Sequence, residues 1–357
     1  MSERREIIDY LRQTIELGGS DLHLTVNAPP ATRVNGSIQA LGESPLSAAE
    51  VRELILATMN ESQRSVLESD WELDYAVEAK GIGRFRGNVH FCRRNLEAVY
   101  RFIPEEIPDL STLGHYPIVE KLCHLQRGLI LVTGITGSGK TTTLASMVQR
   151  IAEVRAGTII TLEDPIEFTH RHNSSLIKQR EIGRDTKSFA KGLRQCLRQD
   201  PDVIVVGELR DRESMQIALT AAETGHLVLS TLHTMDAPKS IERIMDVFPP
   251  DQQGQIASQL SNVLKAIVCQ RLLPRVDGAG RVLATEALNV TSGIEVCLRE
   301  RKIEQLVGLM EIARKEDCHT IDDCLETLSM NNYISIHEVR KNCRDERRFA
   351  PEKMGGI

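Results

Sequence analysis

The chain has 357 residues, of which 41% are apolar and 26% charged, so it is long enough to bury the cores of two or three domains. A formal net charge of −6 argues against a general nucleic-acid binder, although local basic patches are compatible with it. The scattered cysteines are typical of a cytoplasmic protein, and the charged N-terminus argues against a signal peptide. No apolar run approaches ~20 residues, so we expect no integral membrane segment and at most a peripheral contact with a membrane.

Helices and strands alternate in the first hundred residues. Apolar side chains recur at helical spacing over residues 7–15, and they alternate with polar ones over residues 22–26, as in a half-buried strand. The pair Asn35–Gly36 predicts a tight hairpin, and a capping box predicts a helix over residues 47–59. Alternating runs between residues 73 and 103 predict further strands. We therefore predict an α+β domain over residues 1–103.

The rest of the chain changes pattern twice. Residues 104–117 contain three prolines and a glycine, a composition that predicts a linker. From residue 118 to 271, apolar runs alternate with helical segments, as in a parallel sheet with helices on both faces. Beyond Pro274 the apolar residues recur at helical spacing, which predicts a helical subdomain over residues 272–345 and a polar tail over residues 346–357. The predicted fold class is α/β.

One stretch, Gly134–Thr141, reads GITGSGKT and matches the phosphate-loop pattern G-x-x-x-x-G-K-[ST] at every fixed position. An apolar, strand-like run precedes it and a predicted helix follows, so its backbone N–H groups and the helix N-terminus can bind phosphate. We expect Lys140 to reach the β- and γ-phosphates of a nucleotide and the Thr141 hydroxyl to hold Mg²⁺. The alternative is a glycine-rich turn without a ligand. The candidate nucleotide-binding residues are Gly134, Thr136, Gly137, Ser138, Gly139, Lys140, Thr141 and Thr142.

Three polar clusters follow predicted strands, so we expect them at the sheet edge where ligands bind. They are Glu163–Pro165, Gly207–Glu208 and His226–His233. Glu163 is a candidate for polarising an attacking water, and Glu208 for contacting Mg²⁺ through water, whereas either glutamate alone is compatible with a solvated carboxylate. His233 is a candidate phosphate sensor or a structural residue. Zinc binding by His226 and His233 is disfavoured, because no further ligand lies nearby in the sequence.

The N-terminal domain also carries a group of arginines, namely Arg84, Arg86, Arg93, Arg94 and Arg101. On a strand, Arg84 and Arg86 point to the same side. They are candidate arginine fingers that neutralise transition-state charge on a nucleotide held by a neighbouring subunit. A solvated face is an alternative. A nucleic-acid patch is a second alternative, disfavoured because few aromatic residues are interleaved.

Taken together, these motifs resemble one family, the hexameric secretion ATPases, and in particular the type IV pilus retraction ATPases (PilT/PilU-like). The similar segments are, in chain order, SDLHL, RFRGN, GITGSGKTTTL, IITLEDPIEF, LRQDPDVIVVGELRD and TGHLVLSTLHT, and they run over nearly the whole chain. The resemblance implies a PAS-like N-terminal domain and a RecA-like phosphate-loop domain with a helical C-terminal extension. It also implies ATP and Mg²⁺ as ligands and a ring of six subunits.

The resemblance also implies roles for individual residues. Glu163 corresponds to the catalytic glutamate of the acidic box, and Glu208 to the Walker B glutamate at the Mg²⁺ site with Thr141. His233 belongs to the histidine box, and His226 to the same box as a nucleotide-binding residue. The catalytic residues that the resemblance implies are Glu163, Glu208, His233 and the trans-acting arginines Arg84, Arg86 and Arg101.

The function implied is a motor that hydrolyses ATP and powers pilus retraction and twitching motility from the cytoplasmic side of the inner membrane. The implied partners are further copies of the chain, an inner-membrane platform protein and a paralogous retraction ATPase, without nucleic acid. The absence of a tetracysteine motif favours retraction over assembly, although Glu295 replaces an arginine of the family's AIRNLIRE helix at Gly293–Glu300. The alternatives are an accessory or assembly ring with little turnover and a DNA-translocating motor.

Overall fold

The computed structural model describes residues 6–34, 36–103, 106–278 and 280–350, which form two compact units. The first unit comprises the described residues up to Glu106 together with Pro165–Thr169, and the second comprises Ile107–Asp164 and the described residues from His170 onward. Each unit has its own sheet, so the predicted α/β fold class is confirmed. Asn35 of the predicted hairpin, residues 104–105 of the predicted linker and residues 351–357 of the predicted tail lie outside the described residues.

The first unit is an antiparallel sheet packed with helices. Its helices are α1 (Ile7–Glu16), α2 (Ala48–Leu56) and α3 (Glu61–Asp70), and its strands are β1 (Asp21–Leu24), β2 (Ala31–Val34), β3 (Ser37–Ala40), β4 (Glu72–Ala79), β5 (Gly83–Cys92) and β6 (Asn95–Ile103). The strands lie in the order β3-β2-β1-β6-β5-β4. The predicted capping box is confirmed, since the backbone N–H of Ser47 donates to Glu50 at 2.8 Å and that of Glu50 donates to Ser47 at 3.3 Å.

Gly87 lies on β5, directly between two tyrosines of the neighbouring strands. In the strand register Gly87 faces Tyr75 on β4 and Tyr100 on β6, and a Cβ atom added to it would lie 3.0 Å from both rings. The two hydroxyl groups are 3.3 Å apart, and each also contacts the Thr58 hydroxyl. The three hydroxyl groups thus provide one another with hydrogen-bond partners, and the glycine leaves room for the two tyrosine rings.

The second unit is built on a mainly parallel sheet. Its strands are β7 (Gly128–Thr133), β8 (Thr158–Glu163), β9 (Leu176–Glu181), β10 (Val203–Val206), β11 (Leu227–Leu232), β12 (Leu264–Pro274) and β13 (Arg281–Asn289). Its helices are α4 (Ile118–Leu122), α5 (Lys140–Val154), α6 (Phe189–Cys196), α7 (Arg212–Glu223), α8 (Ala237–Asp246), α9 (Pro250–Val263), α10 (Ser292–Arg299), α11 (Leu306–Ile312), α12 (Ile321–Met330) and α13 (Ile336–Asn342). The strand order is β13-β12-β7-β11-β10-β8-β9, and only the β12–β13 pair is antiparallel.

The central strands are buried on both faces, as their continuous apolar runs predicted. Leu129 and Leu131 of β7 belong to one apolar cluster, and Ile130 and Val132 belong to another. Because successive side chains of a strand point to opposite faces, each face of the sheet has its own packed layer.

Strand β13 contradicts the sequence-based prediction, since it lies where a mainly helical chain was expected beyond Pro274. This strand pairs with β12 from Ala266 opposite Asn289 to Pro274 opposite Arg281. Its central residues are buried on both faces, so it lacks the polar–apolar alternation of a half-buried strand. Helices follow from α10 onward, as predicted.

Candidate nucleotide-binding site

The phosphate loop connects β7 to α5 and depends on glycine at its tightest points. Gly134 has φ +148°, and a Cβ atom there would lie 2.4 Å from the carbonyl oxygen of Gln270. Gly139 has φ +88° and precedes Lys140, the first residue of α5. Both conformations are unfavourable for residues with a side chain, so the glycines let the loop curl closely against strand β12.

Lys140 is buried inside this loop, with 8% of its surface exposed. Its Nζ atom donates hydrogen bonds to the carbonyl oxygens of Gly134 at 2.7 Å and Ile135 at 3.1 Å. The ammonium group therefore lies within the curl of the loop. A phosphate oxygen that reached it would exchange for these carbonyls, a favourable replacement because the new acceptor carries a full charge.

Gln270, which was not identified from the sequence, supports the loop from β12. Its side chain is 1% exposed, and its Nε2 donates to the carbonyl oxygen of Ser138 at 2.8 Å. Gln270 and Arg271 interrupt the apolar residues of this strand, and this interruption is the only signal that the sequence carries for the contact.

Glu163, Glu208 and His233 lie at the same edge of the sheet as the phosphate loop. Glu163 ends β8, Glu208 comes two residues after β10, and His233 follows β11 directly. These strands and β7 run parallel, so their carboxyl ends meet at one edge. Adjacent strands are about 4.8 Å apart, so β10 lies only about 10 Å from β7 across β11.

Glu208 is held between two potential hydrogen-bond donors. Its side chain is 12% exposed; Oε1 lies 2.5 Å from a guanidinium nitrogen of Arg210, and Oε2 lies 3.4 Å from Nε2 of His233. Arg210 is 72% exposed, so the ion pair is open to solvent on the arginine side. His233 and Glu208 are thus neighbours.

Glu163 accepts hydrogen bonds from two side chains through the same oxygen. The Thr161 hydroxyl donates to Oε1 at 2.6 Å, and the Gln179 amide donates to it at 3.0 Å. Neither donor was identified from the sequence, because each reads as an ordinary polar residue of a strand.

His226 does not lie at this edge, which corrects the expectation that the whole cluster His226–His233 does. It precedes β11, and its carbonyl oxygen accepts a hydrogen bond from the backbone N–H of Gly128, the first residue of β7, at 3.0 Å. The six residues of β11 then separate it from His233 by about 20 Å. We therefore do not include His226 among the nucleotide-binding residues.

The three candidate arginine fingers share one face of the antiparallel sheet. Arg86 is the register partner of Arg101, and Arg84 lies two residues before Arg86 on the same strand. Arg101 Nε donates to the buried Asp21 at 2.8 Å. Burial by itself would raise the pKa of this carboxyl, but the hydrogen bonds from Ser20 and Arg101 outweigh that effect, so the pKa is lowered. Arg84 donates to Thr169 at 2.5 Å and Arg86 lies 3.8 Å from Glu167, both within the same unit.

Among the described residues, none of the helices is long and apolar enough to cross a membrane. The same part of the chain contains no group of three or more His, Cys, Asp or Glu side chains with the arrangement of a metal centre. A Mg²⁺ ion held with a nucleotide does not need such a group, because it keeps several waters and uses few protein oxygens. The Thr141 hydroxyl and the Glu208 carboxylate supply oxygen donors of the kind that Mg²⁺ prefers.

A parallel sheet that leads into a phosphate loop, with acidic residues after neighbouring strands, defines a RecA-like phosphate-loop fold. Residues 99–352 match the type II/IV secretion system protein family, and the chain belongs to this family. It is 40% identical to the type IV pilus retractation ATPase PilT of Pseudomonas aeruginosa over 96% of this chain and 100% of PilT. It is also 41% identical to the type IV pilus ATPase PilU of that organism, over 94% of this chain and 87% of PilU.

The crystal structure of the pilus retraction motor PilT with bound ADP has the same fold. The TM-score is 0.90 at 44% sequence identity, and the alignment covers 96% of this chain and 98% of that one. The resemblance to the PilT/PilU-like ATPases that the motifs indicated is therefore confirmed.

Proposed function

We propose that this protein is an ATP-hydrolysing motor that powers type IV pilus retraction and twitching motility. The observation that carries this proposal is the phosphate loop with Glu163, Glu208 and His233 at one sheet edge, in a chain about 40% identical to PilT over nearly its full length. Hydrolysis of a γ-phosphate needs charge stabilisation and an oriented water more than covalent chemistry, and these residues can supply both.

The nucleotide occupies the phosphate loop, with its phosphates against backbone N–H groups at the N-terminus of α5. Lys140 leaves the loop carbonyls and contacts the β- and γ-phosphates. Thr141 and Glu208 would hold Mg²⁺, which would neutralise charge on the phosphates. The binding residues are Gly134, Thr136, Gly137, Ser138, Gly139, Lys140, Thr141 and Thr142.

Catalysis combines residues of two subunits. Glu163 orients the attacking water, and His233 senses the terminal phosphate through its neighbour Glu208. Arg84, Arg86 and Arg101 of an adjacent copy neutralise the developing charge, because their guanidinium groups match phosphate geometry. When the site closes, Arg84 would leave Thr169 and Arg86 would leave Glu167, and both arginines would contact the phosphates.

The working form in this proposal is a ring of six subunits at the cytoplasmic face of the inner membrane. The residues before 104 form the N-terminal domain, residues 104–117 the linker, residues 118–271 the ATPase domain and residues 272–345 a C-terminal subdomain. Hydrolysis changes the angle between domains, and the ring passes this motion to an inner-membrane platform protein, with a paralogous ATPase as a second partner. Each partner must bind the ATP-bound and the ADP-bound states of the ring with different affinity.

An accessory ring that binds ATP but hardly hydrolyses it is the second candidate. It is favoured by Glu295, which replaces an arginine on the helix α10. The two functions differ in whether the bound nucleotide is turned over, so a turnover measurement separates them.

The test is steady-state ATPase activity of the purified protein, three variants of the site and one control variant. Lys140→Ala should lose ATP binding, whereas Glu163→Gln and Glu208→Ala should bind ATP and lose about 100-fold or more in kcat. Lys191→Ala, which removes an exposed lysine from α6, is the matched control and should behave as wild type. Normal hydrolysis by Glu163→Gln would show that Glu163 is not the catalytic glutamate, and ATP binding without turnover by the wild type would favour the accessory ring.

The direction of work is tested in cells. Deletion of the gene should give hyperpiliated cells that do not twitch, because pili are assembled and no longer withdrawn. Bald cells would indicate an assembly motor, and stimulation of the ATPase by DNA would indicate a translocase.

A further inference from the structure

Gln179 connects the candidate catalytic glutamate to the edge strand of the parallel sheet. It lies on β9, directly opposite Thr161 of β8 in the parallel register. Its Nε2 donates to Glu163 Oε1 at 3.0 Å, and its own Oε1 accepts the backbone N–H of His170 at 2.8 Å. One amide therefore bridges the acidic box and the backbone that follows it.

We propose that Gln179 is a positioning residue for ATP hydrolysis, which holds Glu163 in the orientation needed to align the attacking water. This inference rests on the proposed function, and it adds a residue on β9 to the machinery. Thr161 assists Gln179, because its hydroxyl donates to the same oxygen at 2.6 Å.

The contacts determine which way the amide of Gln179 faces. The backbone N–H of His170 needs an acceptor, so the amide oxygen faces it and the NH₂ group faces Glu163. If the amide turned over, its NH₂ would oppose the N–H of His170 and its oxygen would oppose the carboxylate. The orientation of the donor toward Glu163 is thus enforced by the backbone.

The consequence for Glu163 is loss of rotational freedom. The torsion that orients a terminal carboxylate is broad in an isolated side chain. Two donors on the same oxygen, one from the strand of Glu163 itself and one from the neighbouring strand, confine that torsion. Catalysis depends on such confinement, because a group that orients water must be within a fraction of an ångström of its working position.

Substrate binding and turnover should respond differently to the loss of this contact. Gln179 lies on β9, at the far edge of the sheet from β7 and the phosphate loop. Removal of its amide should therefore leave the binding of phosphates unchanged and reduce only the chemical step.

The test compares ATP hydrolysis and ADP binding in variants of the full chain. Gln179→Leu should lower kcat about tenfold and leave the KM for ATP and the Kd for ADP within about twofold of wild type. Gln179→Glu should lower kcat further, because it places a second carboxylate against Glu163. Lys178→Gln, which changes the exposed preceding residue on the same strand, is the control and should hydrolyse ATP normally.

A double-mutant cycle separates positioning from a general structural effect. In the Glu163→Gln background, Gln179→Leu should cause no further loss of kcat, because the group that it positions is already altered. A variant with unchanged ADP affinity and thermal unfolding is folded, so its kcat can be interpreted.

Three outcomes would overturn the inference. Wild-type kcat in Gln179→Leu, or an equal loss of kcat in both backgrounds, would refute positioning and leave the proposed motor function intact. No hydrolysis by the wild-type protein would refute the motor function, and with it the role of Gln179.

Discussion

The side-chain amide of Gln270 donates a hydrogen bond to the carbonyl oxygen of Ser138 at 2.8 Å, and this contact joins β12 to the phosphate loop. The Oε1 atom of the same side chain is buried and has no hydrogen-bond partner within the part of the chain that the structure describes. Gln270 is therefore kept in an apolar strand at some cost, and its contact with the loop offsets that cost.

Replacement of Gln270 by leucine should weaken nucleotide binding. The carbonyl of Ser138 would lose a buried donor, and the loop that presents its N–H groups to phosphate would become less ordered. We expect the Kd for ADP to rise about tenfold, as measured by titration with a fluorescent analogue. Gln195→Leu, at an exposed glutamine of α6, is the control, and an unchanged Kd in Gln270→Leu would contradict the role of this contact.

Replacement of Gly87 by alanine should destabilise the N-terminal unit. The new Cβ atom would press on the rings of Tyr75 and Tyr100, at a cost of about 1–3 kcal/mol. Urea unfolding followed by the fluorescence of Trp71, the single tryptophan of the chain, reports on this unit. Gly42→Ala should be nearly neutral, because a Cβ atom there meets nothing within 4 Å. Equal stability of the two variants would refute the packing argument.

The free energy of unfolding should depend on the ion pair between Glu286 and Arg344, and therefore on pH. This buried carboxylate lies 2.8 Å from the Arg344 guanidinium and accepts the first backbone N–H groups of α8 and α12. Burial raises its pKa, an effect that Arg344 opposes. Arg344→Met should therefore lower the free energy of unfolding by about 3–5 kcal/mol at neutral pH.

The pH dependence of this loss follows from the direction of the pKa shift. A group with a raised pKa in the folded state favours folding when protonated, and that advantage disappears as the pH rises through the folded-state pKa. The difference between Arg344→Met and wild type should thus shrink as the pH falls toward the ordinary range of glutamate. Arg344→Lys should be intermediate, and a difference that does not change with pH would argue against Glu286 as the cause.

His319 should make the second unit sensitive to acid. Burial lowers its pKa to about 4 from an ordinary value of 6.5, and its Nε2 lies 2.9 Å from the Thr285 hydroxyl. The unfolded chain takes up the proton first, so stability is lost as the pH falls from about 6.5 to about 4, by about 3 kcal/mol in all.

The acid sensitivity is tested with a variant that cannot titrate. His319→Gln keeps a donor for Thr285 and should reduce the loss of stability between pH 6.5 and pH 4. Part of the loss should remain, because burial also lowers the pKa of His115 and His170 to about 4. His124→Gln, at an exposed histidine, should leave the slope as it is in wild type. If both variants retain the wild-type slope, other groups cause the acid lability.

Several elements could be predicted because their signals are local. The capping box at Ser47, the glycines of the phosphate loop and the apolar run of β7 each depend on residues close together in the chain. The placement of Glu163, Glu208 and His233 at one edge also followed, because parallel strands necessarily bring their carboxyl ends together. The strand β13 was not anticipated, because a strand buried on both faces has no polar–apolar alternation.

The sequence by itself determined the phosphate loop, the two sheet-based units and the family, since the recognition of short motifs and of their order along the chain requires no knowledge of distant contacts. Only the tertiary structure brought Gln270 to the loop and Gln179 to Glu163, and it placed His226 at the opposite end of β11. The physical reason is that strand pairing joins residues far apart in the chain. The sequence around a polar residue of a strand does not indicate which residue of the neighbouring strand it will contact.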